Sequence, residues 1–142
     1  DDAGRPSFEV RQAFLLDSAE VIYGLGQQQT GLVSQRNQRL LLRNQNMSIC
    51  IPFVHSAKGY GLYWDNYSPT TFTDNPQEMS FDSEVGDCAD YYFIYGGTAD
   101  GVIAGVRALT GQAPMYPLWT LGFWPRTVQE SRRVVRGGRQ IP

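Results

Sequence analysis

Two carboxylates two residues apart, Asp82 and Glu84, stand in a stretch where Met79, Phe81, Ser83 and Val85 alternate with Ser80, Asp82 and Glu84. That period belongs to a strand with one dry face and one wet face, so both acids point the same way. A pair of carboxyl groups is what a glycosidase needs, one to attack the anomeric carbon and one to protonate the leaving oxygen. A solvated strand face has the same pattern, however, and no neighbour in sequence marks either acid for the raised pKa of a general acid. The residues therefore assign no catalytic group. His55, the one histidine, lies on an apolar strand and reads as structural rather than as a base or ligand. Cys50 and Cys88 permit one disulfide, but two isolated thiols without close spacing fit neither a disulfide scaffold nor a zinc site, and the reading preferred over that disulfide is two unpaired thiols. Tyr60, Tyr63, Trp64, Tyr67, Tyr91, Tyr92, Phe93 and Tyr95 could stack on sugar rings, but alternating aromatics in strands are mostly core. No cofactor and no metal is expected.

The elements that must position these side chains are short β-branched and aromatic runs separated by Gly, Asn, Asp, Ser and Pro, the pattern of an antiparallel all-β domain. Strands are expected at Phe8 to Leu16, Val21 to Leu25, Arg39 to Arg43, Ser48 to Val54, Gly61 to Trp64, Thr70 to Thr73, Glu78 to Val85 and Tyr91 to Tyr95. Eight strands point to a β-sandwich. In the fourth, Ile49, Ile51 and Phe53 share a face opposite Pro52, which asks for an edge position or a bulge. One helix is expected over Ala99 to Leu109, capped by Thr98, with Asp100 at its positive end and Val102, Val106 and Leu109 on one face. Gly111 ends it, and Gly101 and Gly105 make it dependent on packing. After Pro114 and Pro117, the run Leu118 to Trp124 reads as a buried strand of another domain.

A length of 142 residues with 42% hydrophobic and 18% charged side chains is globular. No apolar run is long enough to cross a bilayer as a helix, so no membrane partner is expected. The net charge of −2 hides an asymmetry. Residues Pro125 to Pro142 hold five arginines and one acid, a charge of +4 that leaves −6 on the rest. An acidic body excludes nucleic acid as its partner, and the basic tail lacks interleaved aromatics.

An ordered series of words carries a resemblance. Tyr23-Gly24-Leu25-Gly26-Gln27, Ile51-Pro52-Phe53, Gly59-Tyr60-Gly61-Leu62-Tyr63-Trp64-Asp65-Asn66, Asp90-Tyr91-Tyr92-Phe93, Leu109-Thr110-Gly111-Gln112-Ala113-Pro114-Met115 and Pro117-Leu118-Trp119 through Gly122-Phe123-Trp124 together resemble the front part of glycoside hydrolase family 31. Asn44-Gln45-Asn46 ahead of Ile51-Pro52-Phe53, with Trp64-Asp65-Asn66-Tyr67-Ser68 behind it, is most similar to the α-xylosidase branch.

The resemblance implies a galactose-mutarotase-like sandwich over 1–113, incomplete at its N-terminus, then a linker and first strand of a (β/α)₈ barrel over 114–124, and an aberrant basic tail over 125–142. It implies a retaining mechanism with two aspartates on later barrel strands, so no residue here inherits a catalytic role. The partners implied are an α-linked xyloside or glucoside and the parent's barrel domain. By position, the loop Arg43 to Met47 matches the one that reaches over the family's pocket mouth. Its amides, Asn44, Gln45 and Asn46, can donate and accept to sugar hydroxyls at once. After Trp124 the chain leaves the family pattern, as a shifted reading frame would make it do. Two other readings use the same residues: a free-standing carbohydrate-binding sandwich, and a structural remnant without a ligand.

Overall fold

Alternating β-branched and aromatic residues form all eight expected strands: β1 (Phe8–Phe14), β2 (Ile22–Gly24), β3 (Arg39–Leu42), β4 (Phe53–Ser56), β5 (Tyr60–Trp64), β6 (Thr70–Asp74), β7 (Met79–Gly86) and β8 (Tyr91–Tyr95). The computed structural model describes Gly4 and residues 6–122. One four-stranded sheet runs β1-β7-β6-β3 and the other β2-β4-β5-β8, with every pair antiparallel. The main core between them is built from alternate residues of both sheets, including Val10, Ile22, Val54, Leu62, Trp64, Phe72, Met79 and Phe81. Trp64 lies flat on Phe81, with ring centroids 5.5 Å apart, and Phe72 meets Phe81 edge-on at 5.3 Å. Burying the Trp64 indole requires a partner for its N–H, which donates to Ser83 Oγ at 2.9 Å; Ser83 in turn shares a hydrogen bond with Thr70 Oγ1 at 2.8 Å.

Helix α1 (Ala99–Thr110) covers the outer face of the second sheet. Thr98 caps it by accepting from the Gly101 N–H at 3.2 Å. Val102 packs with Phe53 and Ile94, and Val106 lies against the same cluster. Its two glycines are what permit this approach. A Cβ on Gly101 would lie 2.2 Å from the Gly96 oxygen, and one on Gly105 would lie 2.4 Å from Ile94 Cγ2.

Three expectations need correction. The fourth strand begins at Phe53 rather than Ser48, because Pro52 has no N–H and the Phe53 N–H turns back to Ile51 O at 2.7 Å, a tight turn around Pro52. Ile49 and Ile51 are consequently exposed, and β4 lies inside its sheet rather than at an edge. Leu109 is exposed near the C-terminus of α1, where that face has passed the cluster it packs on. Leu118–Leu121 forms a turn of 3₁₀ helix rather than a strand, its backbone satisfied locally by Thr120 N–H to Pro117 O (3.0 Å) and Gly122 N–H to Trp119 O (3.1 Å). By contact the chain divides into Asp1–Gln112, which holds the sandwich, and Ala113–Pro142. Phe123, Trp124 and the basic tail lie outside the described residues.

Candidate functional site

The Arg43 to Met47 loop is a tight hairpin tip. Gln45 and Ser48 exchange backbone hydrogen bonds, 3.1 Å from the Ser48 N–H and 3.4 Å from the Gln45 N–H, which leaves Asn46 and Met47 at the corner. Met47 takes a left-handed φ of 69°, a conformation normally left to Gly or Asn, and its side chain is 66% exposed. A second loop braces the base of the hairpin: Gln27 and Ile49 exchange backbone hydrogen bonds of 2.9 and 3.0 Å. That loop, Gly24-Leu25-Gly26, holds three successive left-handed residues at φ 117°, 66° and 82°. Leu25 is fully buried, and its N–H donates to Phe53 O at 2.8 Å. A Cβ on Gly24 or Gly26 would strike Phe53 O or Ile49 O at 2.3 and 2.1 Å, so this approach is open only to glycine.

The three amides play different parts. Asn44 Oδ1 accepts from the Cys50 N–H at 2.8 Å, so Asn44 helps to hold the hairpin. Gln45 Oε1 accepts a long contact of 3.4 Å from Arg43 Nε. Asn46, exposed at the tip, engages no other described residue through its amide. Clefts flank the hairpin on both sides. One of about 660 Å³ is lined by Leu25, Gln27, Leu32, Ile49, Ile51 and Phe53; the other, about 260 Å³ and more polar, is lined by Arg43, Asn44, Cys50, Asn66, Tyr67 and Ser68. The second is shaped by Asn66, whose Nδ2 donates to Val85 O at 3.0 Å while its Oδ1 accepts from the Ser68 N–H at 2.7 Å. The Gly-Leu-Gly spelling was the available signal for the bracing loop, and sequence reasoning did not extract it.

The other candidates stay apart from this site. Asp82 is on β7, outside the core, where it pairs with Arg11 Nε at 2.7 Å and accepts from Ser80 Oγ at 2.7 Å; Glu84 beside it is exposed. No cleft among those described separates the two acids. His55 is sandwiched on the outer face of the second sheet between Tyr23, 5.2 Å away, and Phe53, 6.4 Å away. Cys50 and Cys88 are free thiols, and burial pushes the Cys50 thiol above its ordinary pKa. Of the aromatics, Trp64 is core, whereas Tyr67, Phe93 and Tyr95 are exposed.

Residues 2–73 match the family model described as the glycosyl hydrolase 31 N-terminal galactose mutarotase-like domain. The chain belongs to glycoside hydrolase family 31. It is 40% identical over 127 residues to the α-xylosidase of Saccharolobus solfataricus, an alignment covering 83% of this chain and 17% of that protein. It is 31% identical to the α-xylosidase XylQ of Lactiplantibacillus pentosus, covering 83% and 16%. Among solved structures, a family 31 α-xylosidase from a soil metagenome, complexed with xylose, superposes with a TM-score of 0.81 at 30% identity over 96% of this chain and 21% of that one. A xylosidase from Aspergillus niger gives a TM-score of 0.76 at 25% identity, covering 84% and 17%. This family 31 chain thus spans about a fifth or less of the length of these relatives.

Proposed function

We propose that this family 31 chain is the non-catalytic N-terminal portion of a retaining α-glycosidase that hydrolyses α-xylosides or α-glucosides. Its sandwich, residues 1–113, then serves the parent's barrel domain by presenting the hairpin at the substrate-pocket mouth, and residues from 114 onward lead into that barrel. The observation that carries the reading is the hairpin tip. Its strained corner at Met47 holds out the Gln45 and Asn46 amides, which contribute little to the fold, whereas Asn44 is used to hold the hairpin. Backbone strain kept at an exposed tip is a cost that the surrounding structure has to offset, and such positions cluster where geometry serves binding.

Asn46 and Gln45 therefore donate and accept to sugar hydroxyls, and Asn44 fixes the loop that carries them. In a full-length parent carrying this domain, Gln45→Ala with Asn46→Ala should lower kcat/KM for an aryl α-xyloside by about 5- to 30-fold, equivalent to about 1–2 kcal/mol of lost hydrogen bonding, with thermal stability unchanged. Unaltered kinetics in the double variant would assign the loop to the role of a polar turn.

A further inference from the structure

Two glutamines outside the hairpin hold the turn that braces it. On the side of β2 toward β4, the Ala57 N–H donates to Val21 O at 2.9 Å and the Leu25 N–H to Phe53 O at 2.8 Å. Backbone groups alternate sides along a strand, so Ile22 O and Gly24 O face away from β4. Gln35 serves both. Its backbone N–H donates to Ile22 O at 2.9 Å and its side-chain Nε2 to Gly24 O at 3.2 Å, so a single residue fills two rungs of a ladder. Gln28 Nε2 donates to the next carbonyl, Leu25 O, at 3.1 Å. Two successive carbonyls of the left-handed turn are thus satisfied by side-chain amides.

Gln35 is itself firmly placed. It is 4% exposed, and the following Arg36 donates from Nε to Asp74 Oδ2 at 2.9 Å and from Nη1 to Asp17 O at 3.0 Å. Asp74 belongs to β6 of the other sheet, so the donor to Gly24 is anchored across the sandwich. A left-handed leucine such as Leu25 persists only where its surroundings over-determine it, and Gln35 and Gln28 supply that on the side away from β4. Directly after the turn comes Gln27, whose backbone exchanges hydrogen bonds with Ile49 at the hairpin base.

We propose that Gln35, aided by Gln28, is a positioning residue for the hairpin. Its amide fixes the Gly24-Leu25-Gly26 turn, the turn fixes the Gln27–Ile49 bridge, and the bridge sets where the Gln45 and Asn46 amides stand. The consequence for substrate rests on the reading of the hairpin as the sugar contact; the consequence for the hairpin itself does not.

Amide hydrogen exchange of the whole chain tests the first step. Gln35→Met keeps the side-chain length and removes the donor, and no described residue donates to the Oε1 lost with it. Exchange at Gln27, Ser48 and Ile49 should quicken by about 3- to 10-fold, the scale of one hydrogen bond, while the Phe72 and Phe81 amides of the first sheet keep their native rates. Gln28→Met, at a half-buried position, should quicken the same three amides and carries the test where Gln35→Met does not fold. In a full-length parent, either folded variant should raise KM for an aryl α-xyloside by about 3- to 10-fold with kcat kept. It should add nothing in the Gln45→Ala, Asn46→Ala background, because it acts through those two amides. Unchanged exchange at the three amides overturns the proposal, as does quickening spread evenly over both sheets, which marks a general loss of stability. If exchange responds but the Gln45→Ala, Asn46→Ala variant is kinetically silent, the reading of the hairpin falls and takes the link to substrate with it. If that double variant is impaired but the glutamine variants are not, or if their cost persists in its background, the positioning role alone is wrong.

Discussion

At the scale of single residues, the group with most at stake is Glu20, which is buried yet charged. It accepts from Ser56 Oγ and Tyr60 OH, and Lys58 Nζ lies 3.2 Å from its other oxygen, so one carboxylate ties the turn before β2 to β4 and β5. Burial works to raise its pKa, but the hydrogen bonds from Ser56, Tyr60 and Lys58 outweigh it and hold the carboxyl below its ordinary 4.5. The folded state therefore binds fewer protons than the unfolded one just below that value. The stabilisation is present above about pH 4.5 and is lost as pH falls through the folded pKa. Burial, then Glu20 itself, pushes the Tyr60 phenol from 10 up to about 12. Its contribution is present below pH 10 and is lost as pH rises toward about 12. Urea melts across pH should show both limbs in the native chain; Glu20→Gln should flatten the acid limb and Tyr60→Phe the alkaline one. At the hairpin, Met47→Asn should raise stability by about 0.5–1 kcal/mol, because Asn tolerates the left-handed conformation without the entropy cost of Gly. Met47→Val should lower it. Neither Glu20 nor Met47 was legible beforehand: nothing in sequence says that a Glu in a turn will meet a Ser and a Tyr 36 and 40 residues away, or which hairpin residue will take a positive φ.

At the scale of elements, α1 sets propensity against packing, and the magnitudes decide between them. Gly101→Ala would gain about 1 kcal/mol of helix propensity. The new Cβ would meet the Gly96 backbone at 2.2 Å, which no rotamer can relieve. The variant should therefore be destabilised by about 1–3 kcal/mol in a thermal or urea melt, as overpacking against fixed backbone generally is. A stabilised Gly101→Ala would show that α1 is less closely docked than the structure has it. Eight strands and this helix were legible because hydrophobic period and punctuating Gly, Pro and Asn speak locally. The misplacements arose where the deciding partner was distant. Alternation grouped Ile49 and Ile51 with Phe53, but the turn at Pro52 and the Gln27–Ile49 bridges detach them. Leu118 to Leu121 is apolar enough for a strand, but its backbone turns into 3₁₀ helix, with the Thr120 N–H on Pro117 O and the Gly122 N–H on Trp119 O.

At the scale of the whole molecule, the order of short words proved more informative than any single residue, because a series of weak signals spaced along the chain is specific when each alone is not. It led to the family and the sandwich, both now supported by the matching domain and by superposition on solved α-xylosidases. That Asn44 holds the hairpin while its neighbours Gln45 and Asn46 do not was less legible, since one hydrogen bond from the Cys50 N–H separates them and sequence does not spell such a bond. The central proposal is that this chain assists a carbohydrate-active parent and performs no chemistry itself. Retaining hydrolysis needs two carboxyl groups about 5 Å apart flanking an anomeric carbon in a pocket. Asp82, engaged by Arg11 and Ser80, and exposed Glu84 offer no such pocket. The most direct measurement is release of aryl alcohol from an aryl α-xyloside by the highly purified chain, beside Asp82→Asn and Glu84→Gln. The account predicts turnover no greater than the buffer blank for all three. Turnover by the native chain that either substitution abolishes would contradict it.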